Sequence, residues 1–499
     1  MPLPESSLRP AASPPPPSPP SLPAPQLPVR SHPTLVLILG SLGVFMVFLD
    51  TTIVNVAFAT ISHGFHTTTD RLAWALNAYS LVFAAVLIPA GRIADRYGRK
   101  QVFLVGLAGF GVMSALCGLS PGAGVLIGAR ALQGAFAALV VPSSVALILP
   151  EFPGKRRNVA VGTWGAMSAA AAACGPTIGA LLIEYGSWRW VFLVNVPIAV
   201  VAITFGIRVL RDSRDPNATG VPDPLGIVLV ALVPALLSFS IIEGPKWGWT
   251  DARVIAGFVL GVAVIPAFFW RTRRAAHPVV DLALYKDRQF GLVNAASLLF
   301  GTGFFAMLLA NQLFLQSVWH YSVLRSALAT APGPIVVALV ARTTSKLSGR
   351  IGYRPVLGAG AVVWAVGVVG LATQIGISPH WLREVLPFSL LTGLAIGMTL
   401  PVQSAAAVAT LPPSRYALGS AINSSFRQLG AVLGISLFVA ILGTPSPATV
   451  LEAFRHVWWT LGALGLASGA VQLLPTESRA ARAAAATANV LQGSGSAPE

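Results

Sequence analysis

The 499-residue chain is 55% hydrophobic with a mean hydropathy of +0.73, and only 10% of it is charged, against about 25% in soluble proteins. That balance excludes an ordinary soluble fold and implies a chain that crosses a membrane many times. The net charge of +16 does not mark a nucleic-acid binder, because the cations fall between the apolar runs and mostly on one side of them.

Residues 1–33, which include SPPPPSPPSLPAP, are rich in proline and serine and are expected to form a disordered cytoplasmic tail, with Met1 starting the mature chain. Apolar runs of about 20 residues, the length that spans hydrocarbon, then follow. They lie at 35–59, 72–91, 101–120, 124–148, 158–182, 188–210, 224–243, 253–270, 289–316, 325–343, 354–376, 384–410, 417–443 and 453–474. The expected fold is an all-α integral membrane protein with 14 transmembrane helices. Cys117 and Cys174 sit within these runs as packing residues, with no disulfide framework and no metal-ligand spacing. His63 and His66 follow span one without the acids or cysteines that would complete a metal site, and are read as solvated. The NAT stretch at Asn217 fits a glycosylation pattern but falls in a predicted cytoplasmic loop and is set aside.

Lysines and arginines orient the chain. The termini and even-to-odd loops hold 24, the odd-to-even loops hold 7, and Arg130 and Arg427 fall within spans. Both termini are therefore expected in the cytoplasm. GKRR (Gly154 to Arg157) and RTRR (Arg271 to Arg274) become contacts with the lipids of the inner leaflet.

The two ends of the span series echo each other. GRIADRYGRK (Gly91 to Lys100) reappears as SKLSGRIGYR (Ser345 to Arg354) 254 positions later, and Arg71 and Arg325 share that offset. LQGAFAALVVP (Leu132 to Pro142) is echoed by LTGLAIGMTLP (Leu391 to Pro401) at an offset of 259. The expected organisation is an N-terminal six-helix bundle at 34–210, a linker with two inserted helices at 211–287, a C-terminal six-helix bundle at 288–475 and a disordered cytoplasmic tail at 476–499. Parallel repeats of this kind place a substrate path between the halves near the midplane.

Several stretches carry polar chemistry. In VFMVFLDTTIVNV, Asp50 is the one acid placed deep in a span, where a charge costs about 2.5–3.5 kcal/mol on insertion scales. A carboxylate in that position can take and release a proton as its exposure changes, with Asn55, Thr51 and Thr52 as candidate tuning groups. An alternative is a purely structural pairing with Arg130, itself in an apolar span. Gly91 and Gly98 permit a tight turn in GRIADRYGRK, where Asp95 lies among Arg92, Arg96, Arg99 and Lys100; Gly349 stands opposite Asp95 in the second copy. Gly175, Pro176 and Gly179 give span five a kink point and a small-residue face, with Gly430 and Gly434 as possible counterparts. Candidate cavity residues are Asn55, Gln133, Asn294, Asn311, Gln312, Gln403, Asn423 and Arg427. For Arg427 a cavity role and an anchoring role at inner phosphates both stand.

These stretches carry a resemblance. LDTTIVNVAF (Leu49 to Phe58), GRIADRYGRK, RALQGAFAALVVPSS (Arg130 to Ser144) and GPTIGA (Gly175 to Ala180) resemble signatures of the major facilitator superfamily, of the fourteen-helix drug:proton antiporter type. The run from Asp223 to Trp249 is similar to the inserted-helix pattern of that subgroup. The resemblance covers about 34–475 and implies a proton-coupled antiporter that exports an amphiphilic drug, antibiotic or secondary metabolite by alternating access. It implies proton coupling at Asp50 and Arg130, a conformational latch at Gly91, Asp95, Arg96, Gly98 and Arg99, and an antiporter motif at Gly175, Pro176 and Gly179. Ala180 departs from the fuller signature, which has glycine there. No GxxxxGK[ST] occurs, so the proton motive force is the expected energy source, with no cofactor and no metal. The expected partners are protons, a small amphiphile and membrane lipids, not nucleic acid, around a monomer in the cytoplasmic membrane. Span ten has no acid, which argues against a dication and for a neutral, zwitterionic or singly charged substrate. A proton-coupled importer on the same fold is the alternative. A membrane enzyme would need a convergent catalytic set: HExxH and a carboxylate pair near the membrane are absent, and the one GxSxG match, GLSPG (Gly118 to Gly122), stands alone at the end of span three.

Overall fold

The computed structural model describes residues 32–152, 155–214, 223–280, 282–411 and 415–475. The proline-rich N-terminal stretch, the tail after 475 and Asn217 lie outside the described residues. The helices are α1 (Pro33–Gly64), α2 (Thr69–Tyr97), α3 (Arg99–Gly118), α4 (Ala123–Ile148), α5 (Lys155–Glu184), α6 (Trp190–Val209), α7 (Pro224–Trp247), α8 (Ala252–Arg274), α9 (Arg288–Ser317), α10 (Val323–Ile351), α11 (Tyr353–Gln374), α12 (Trp381–Val408), α13 (Tyr416–Leu442) and α14 (Val450–Leu473). Helices suit a bilayer because each satisfies its own backbone polar groups. Each apolar run read from the sequence falls on one of them.

Among the described residues, 12 helices are long and apolar enough to cross a membrane. A further segment, α5, is a pair of helices, Ala160–Ala172 and Cys174–Glu184, bent by 41°. The last, α14, has 24 residues but carries Glu452, Arg455 and His456 near its start, which lowers its hydropathy. Cys117 is buried; Cys174 is exposed rather than packed.

The two halves share one packing scheme. α1 packs on α5 as α9 packs on α13; α2 packs on α4 as α10 packs on α12; and α3 meets α4 and α6 as α11 meets α12 and α14. The turns repeat too. Gly98 (φ +113°) and Gly352 (φ +85°), 254 positions apart, both use the left-handed region that favours glycine. A Cβ on Gly134 would meet the Tyr79 carbonyl, and one on Gly393 would meet the Gly333 carbonyl. That is the same crossing of helices in each half.

The turns at Gly98 and Gly352, the segments around 210–223 and 275–287 and the end of α14 share one face of the bundle. Arg99 N donates to Ser213 O at 3.0 Å, Arg92 Nη1 to Pro278 O at 2.7 Å and Arg354 Nη2 to Leu474 O at 3.2 Å. The halves meet along α2–α13 and α5–α10, and α7 packs across the α2–α13 seam with α8 outside it. Towards the opposite face the seam is closed: Gln316 Nε2 donates to Val56 O at 3.3 Å, and Val56, Ala180 and Ala327 pack together.

Candidate functional site

Asp50, in the middle of α1, faces the interior of the N-terminal half and is 0% exposed. Its Oδ2 accepts from Arg130 Nη1 at 2.5 Å. Its Oδ1 accepts from Gln133 Nε2 and Asn195 Nδ2, each at 3.1 Å. Three N–H donors and no acceptor is the environment of an ionised carboxylate. The donors are held in turn. Gln133 Oε1 accepts from Arg130 at 2.8 Å and from the Cys117 thiol at 3.5 Å. Ser114 Oγ accepts from Gln133 and Asn195 and donates to Phe192 O. The Arg130 guanidinium lies 4.0 Å over the Tyr79 ring, and its Nε donates to Ala75 O at 3.3 Å. Four helices besides α1 (α2, α3, α4 and α6) supply or position a member of this network, and Arg130 is 1% exposed. It does not snorkel to an interface.

The groups expected to tune Asp50 make no hydrogen bond to it. Thr51, Thr52 and Asn55 hydrogen-bond back to carbonyls of their own helix, as such side chains do in helices. Thr52 sits roughly 200° around the helix from Asp50 and lines, with Asn55 and Val56, a cavity of ≈ 420 Å³ between the halves. Its other walls come from α5 (Ala166, Ala170, Pro176) and from α9–α12 and α14, with Phe304, Asn311, Gln312, Phe314, Arg342 and Trp458 among them.

The candidate cavity residues divide accordingly. Asn55, Asn311 and Gln312 line the cavity; Gln133 belongs to the Asp50 network instead. Asn294, Gln403 and Asn423 form a separate buried cluster in the C-terminal half: Asn423 Nδ2 donates to Asn294 Oδ1 at 3.1 Å and to Ser297 Oγ at 2.8 Å, and Ser297 Oγ donates to Gln403 Oε1 at 3.3 Å. Arg427 is half-buried and donates to Ser424 Oγ at 3.2 Å, away from the cavity.

The glycine motif fixes α5 to α1. A Cβ on Gly175 would strike Thr52 Oγ1, and one on Gly179 would lie 2.6 Å from Ile53 Cγ1. Gly430 and Gly434 meet the α9 backbone at Leu298 and Thr302 in the same way. At the GRIADRYGRK turn, Asp95 Oδ1 accepts from Arg99 at 2.8 Å within the α2–α3 corner, while Arg96 lies over Tyr97. Arg92, not Asp95, reaches out of the N-terminal half, to Pro278 O. Beside Gly98 stands the Asp212 carboxylate, 2.5 Å from where a Cβ would be. Gly91 has the Pro142 ring as its near neighbour. His63 and His66 are exposed, and among the described residues no cluster could hold a metal.

Sequence reasoning missed Asn195, Ser114, Tyr79 and Arg342. Asn195 carries a signal, a lone amide in the apolar run WVFLVNVPIAV. Arg342 stands at the end of the apolar run 325–343, and α10 continues beyond it to Ile351.

A family model described as Major Facilitator Superfamily matches residues 40–343 and 293–493. The chain is 31% identical to the tetracenomycin C resistance and export protein of Streptomyces glaucescens, over 87% of this chain and 80% of that one. It is 32% identical to the methylenomycin A resistance protein of Streptomyces coelicolor, over 81% and 84%. Among solved structures, a bacterial homologue of the human lysosomal transporter Spinster superposes with a TM-score of 0.60 at 16% identity, covering 89% of this chain and 96% of that one. That likeness is one of fold.

Proposed function

The chain belongs to the Major Facilitator Superfamily, and from that premise we propose that it is a proton-driven antiporter exporting amphiphilic antibiotics or related compounds across the cytoplasmic membrane. The observation that carries the reading is the sealed Asp50–Arg130 pair on one face of α1, with the inter-bundle cavity on the other. The names of the relatives support the export of antibiotics. We take the chain as fourteen spans, two six-helix bundles (34–210 and 288–475) around the inserted pair in 211–287, with both termini cytoplasmic by the excess of lysine and arginine on that side. The closed far face is then external, and the cavity belongs to an inward-facing state of a monomer in lipid.

A proton reaching Asp50 competes with Arg130 for Oδ2. Protonation frees the guanidinium, and α1 carries the change to Thr52 and Asn55 in the cavity wall. Gly175 and Gly179 leave no gap between α1 and α5, so α5 moves with α1. The corner of Asp95, Arg96, Arg99, Gly91 and Gly98, with Arg92 reaching Pro278, acts as the latch on the cytoplasmic face. The proton motive force supplies the energy with no cofactor: one proton crossing 100 mV yields about 2.3 kcal/mol, and one pH unit adds about 1.4 kcal/mol. In proteoliposomes, an imposed pH gradient should drive substrate movement with the wild type and none with Asp50→Asn. Gradient-driven movement by that variant would refute proton coupling at Asp50.

A further inference from the structure

The cavity walls carry an unbalanced charge. Arg342 lines the cavity about 13.5 Å along α10 from its end at Ile351, at 1.5 Å per residue. Among the described residues it has no carboxylate partner, and no aspartate or glutamate lines the cavity. Asp50 faces the other side of α1 and is already paired. From α9 to α14 the acids are Glu384 and Glu452, both at helix ends on the opposite face.

A second group in the cavity is unsatisfied. Gln312 is 4% exposed and gives its Nε2 to Thr330 Oγ1 at 2.9 Å, but no described group donates to its Oε1. A buried acceptor without a donor is unfavourable until a ligand supplies one. Phe304, Phe314 and Trp458 add flat apolar surface.

We propose that the cavity selects amphiphiles bearing one acidic group: the anionic oxygen pairs with Arg342, a hydrogen-bond donor on the same molecule meets Gln312 Oε1, and the ring system lies against the aromatic side chains. The proposal rests on the exporter reading and narrows its substrate class. A cation is disfavoured relative to an anion, because no lining carboxylate offsets the charge of Arg342. A volume of ≈ 420 Å³ holds a molecule of antibiotic size.

The test uses three fluorescent probes that share a dansyl ring: dansylglycine (an anion), dansylglycinamide (neutral) and dansyl-ethylenediamine (a cation). Their movement into inverted vesicles is measured under an inside-acid gradient. The wild type should move dansylglycine at least tenfold faster than the cation. Arg342→Gln should remove most of that advantage and slow the anion far more than the amide, Arg342→Lys should keep the advantage, and Gln312→Glu should lower the movement of the anion selectively. Preference for the cation, failure of dansylglycine to move, or an equal loss of all three probes in Arg342→Gln would overturn the inference. The exporter reading falls separately, if a broad antibiotic panel shows neither gradient-driven movement nor raised tolerance in a sensitive host.

Discussion

The two halves are copies in packing and opposites in chemistry. Gly179 meets Ile53 in the first and Gly434 meets Thr302 in the second, a register that sets Leu299 opposite Asp50. The offset of 259 between α4 and α12 sets Ser389 opposite Arg130 and Thr392 opposite Gln133, and both of these line the cavity. The N-terminal half thus buries a charged, hydrogen-bonded core away from the cavity. The C-terminal half gives neutral side chains to the cavity wall and holds a neutral amide cluster of its own, in which Gln403 Nε2 and Asn423 Oδ1 find no described partner. Close packing tolerates few side chains at a helix crossing, so a duplicated scaffold keeps its glycines. Polar groups inside each half answer only to their local partners and are free to diverge.

The sharpest break in that contrast is at Asp50. Asp50→Asn removes the carboxylate but keeps its shape, and gradient-driven transport should fall to the level of empty vesicles while the protein still folds. Next comes Arg130→Ala, which strands Asp50 in the core. Losing one partner of a buried pair costs about 3–5 kcal/mol, so thermal unfolding of the purified protein should occur at a markedly lower temperature. The double variant Asp50→Asn/Arg130→Gln should regain most of that stability and none of the transport. If the single and double variants were equally unstable, Arg130 would be holding the fold through Ala75 and Tyr79 rather than through the carboxylate.

Hydropathy was enough to place every helix, because a bilayer demands about 20 apolar residues per crossing and the runs are separated by charge. The convergence of side chains was less legible. Gln133, Asn294, Gln403 and Asn423 look from the sequence like Asn311 and Gln312: amides in apolar spans. A polar group facing into its own bundle and one facing the seam have the same composition and the same helical spacing. Only the packing distinguishes them, and it sends one to the carboxylate, three to the neutral cluster and two to the cavity. Asp50 was visible because an acid in hydrocarbon needs a partner. Asn195 and Ser114, which complete its shell, come from α6 and α3, helices with no sequence link to α1.

The shared packing makes smaller, paired predictions. A Cβ on Gly430 would meet backbone atoms, the Leu298 carbonyl and Thr302 N at 2.8 Å, whereas on Gly179 it would press mainly on the Ile53 side chain. Overpacking costs about 1–3 kcal/mol, and backbone yields less than side chain. Gly430→Ala should therefore destabilise more than Gly179→Ala in thermal unfolding; the reverse order would mean that α5 and α1 are the more rigid pair. At the turns, Gly98→Ala and Gly352→Ala both force a side chain into positive φ, which destabilises by about 1 kcal/mol or more. Only the first also runs into a neighbour, the Asp212 carboxylate, since nothing lies within 4 Å of a Cβ at Gly352. Gly98→Ala should lower stability more, and equal effects would show that Asp212 simply swings away.

The smallest effect lies in the α7–α8 hairpin. Asp223 caps α7 by accepting from Gly226 N at 3.1 Å, and Arg271 of α8 donates to both its oxygens at 2.8 Å. The Arg271 hydrogen bonds, opposed by desolvation, hold the Asp223 carboxyl below its ordinary 3.8. A carboxylate whose folded pKa is depressed stabilises fully above its unfolded value, and that contribution is lost as the pH falls through the folded one. From about pH 5 to 8 the unfolding temperatures of the wild type and Asp223→Asn should therefore differ by a constant amount, with the gap closing only below about pH 4. Arg271 is 36% exposed, so solvent screening keeps that gap small, far below the loss expected for Arg130→Ala. A gap that varied between pH 5 and 8 would mean that another titrating group, not Arg271, governs the hairpin.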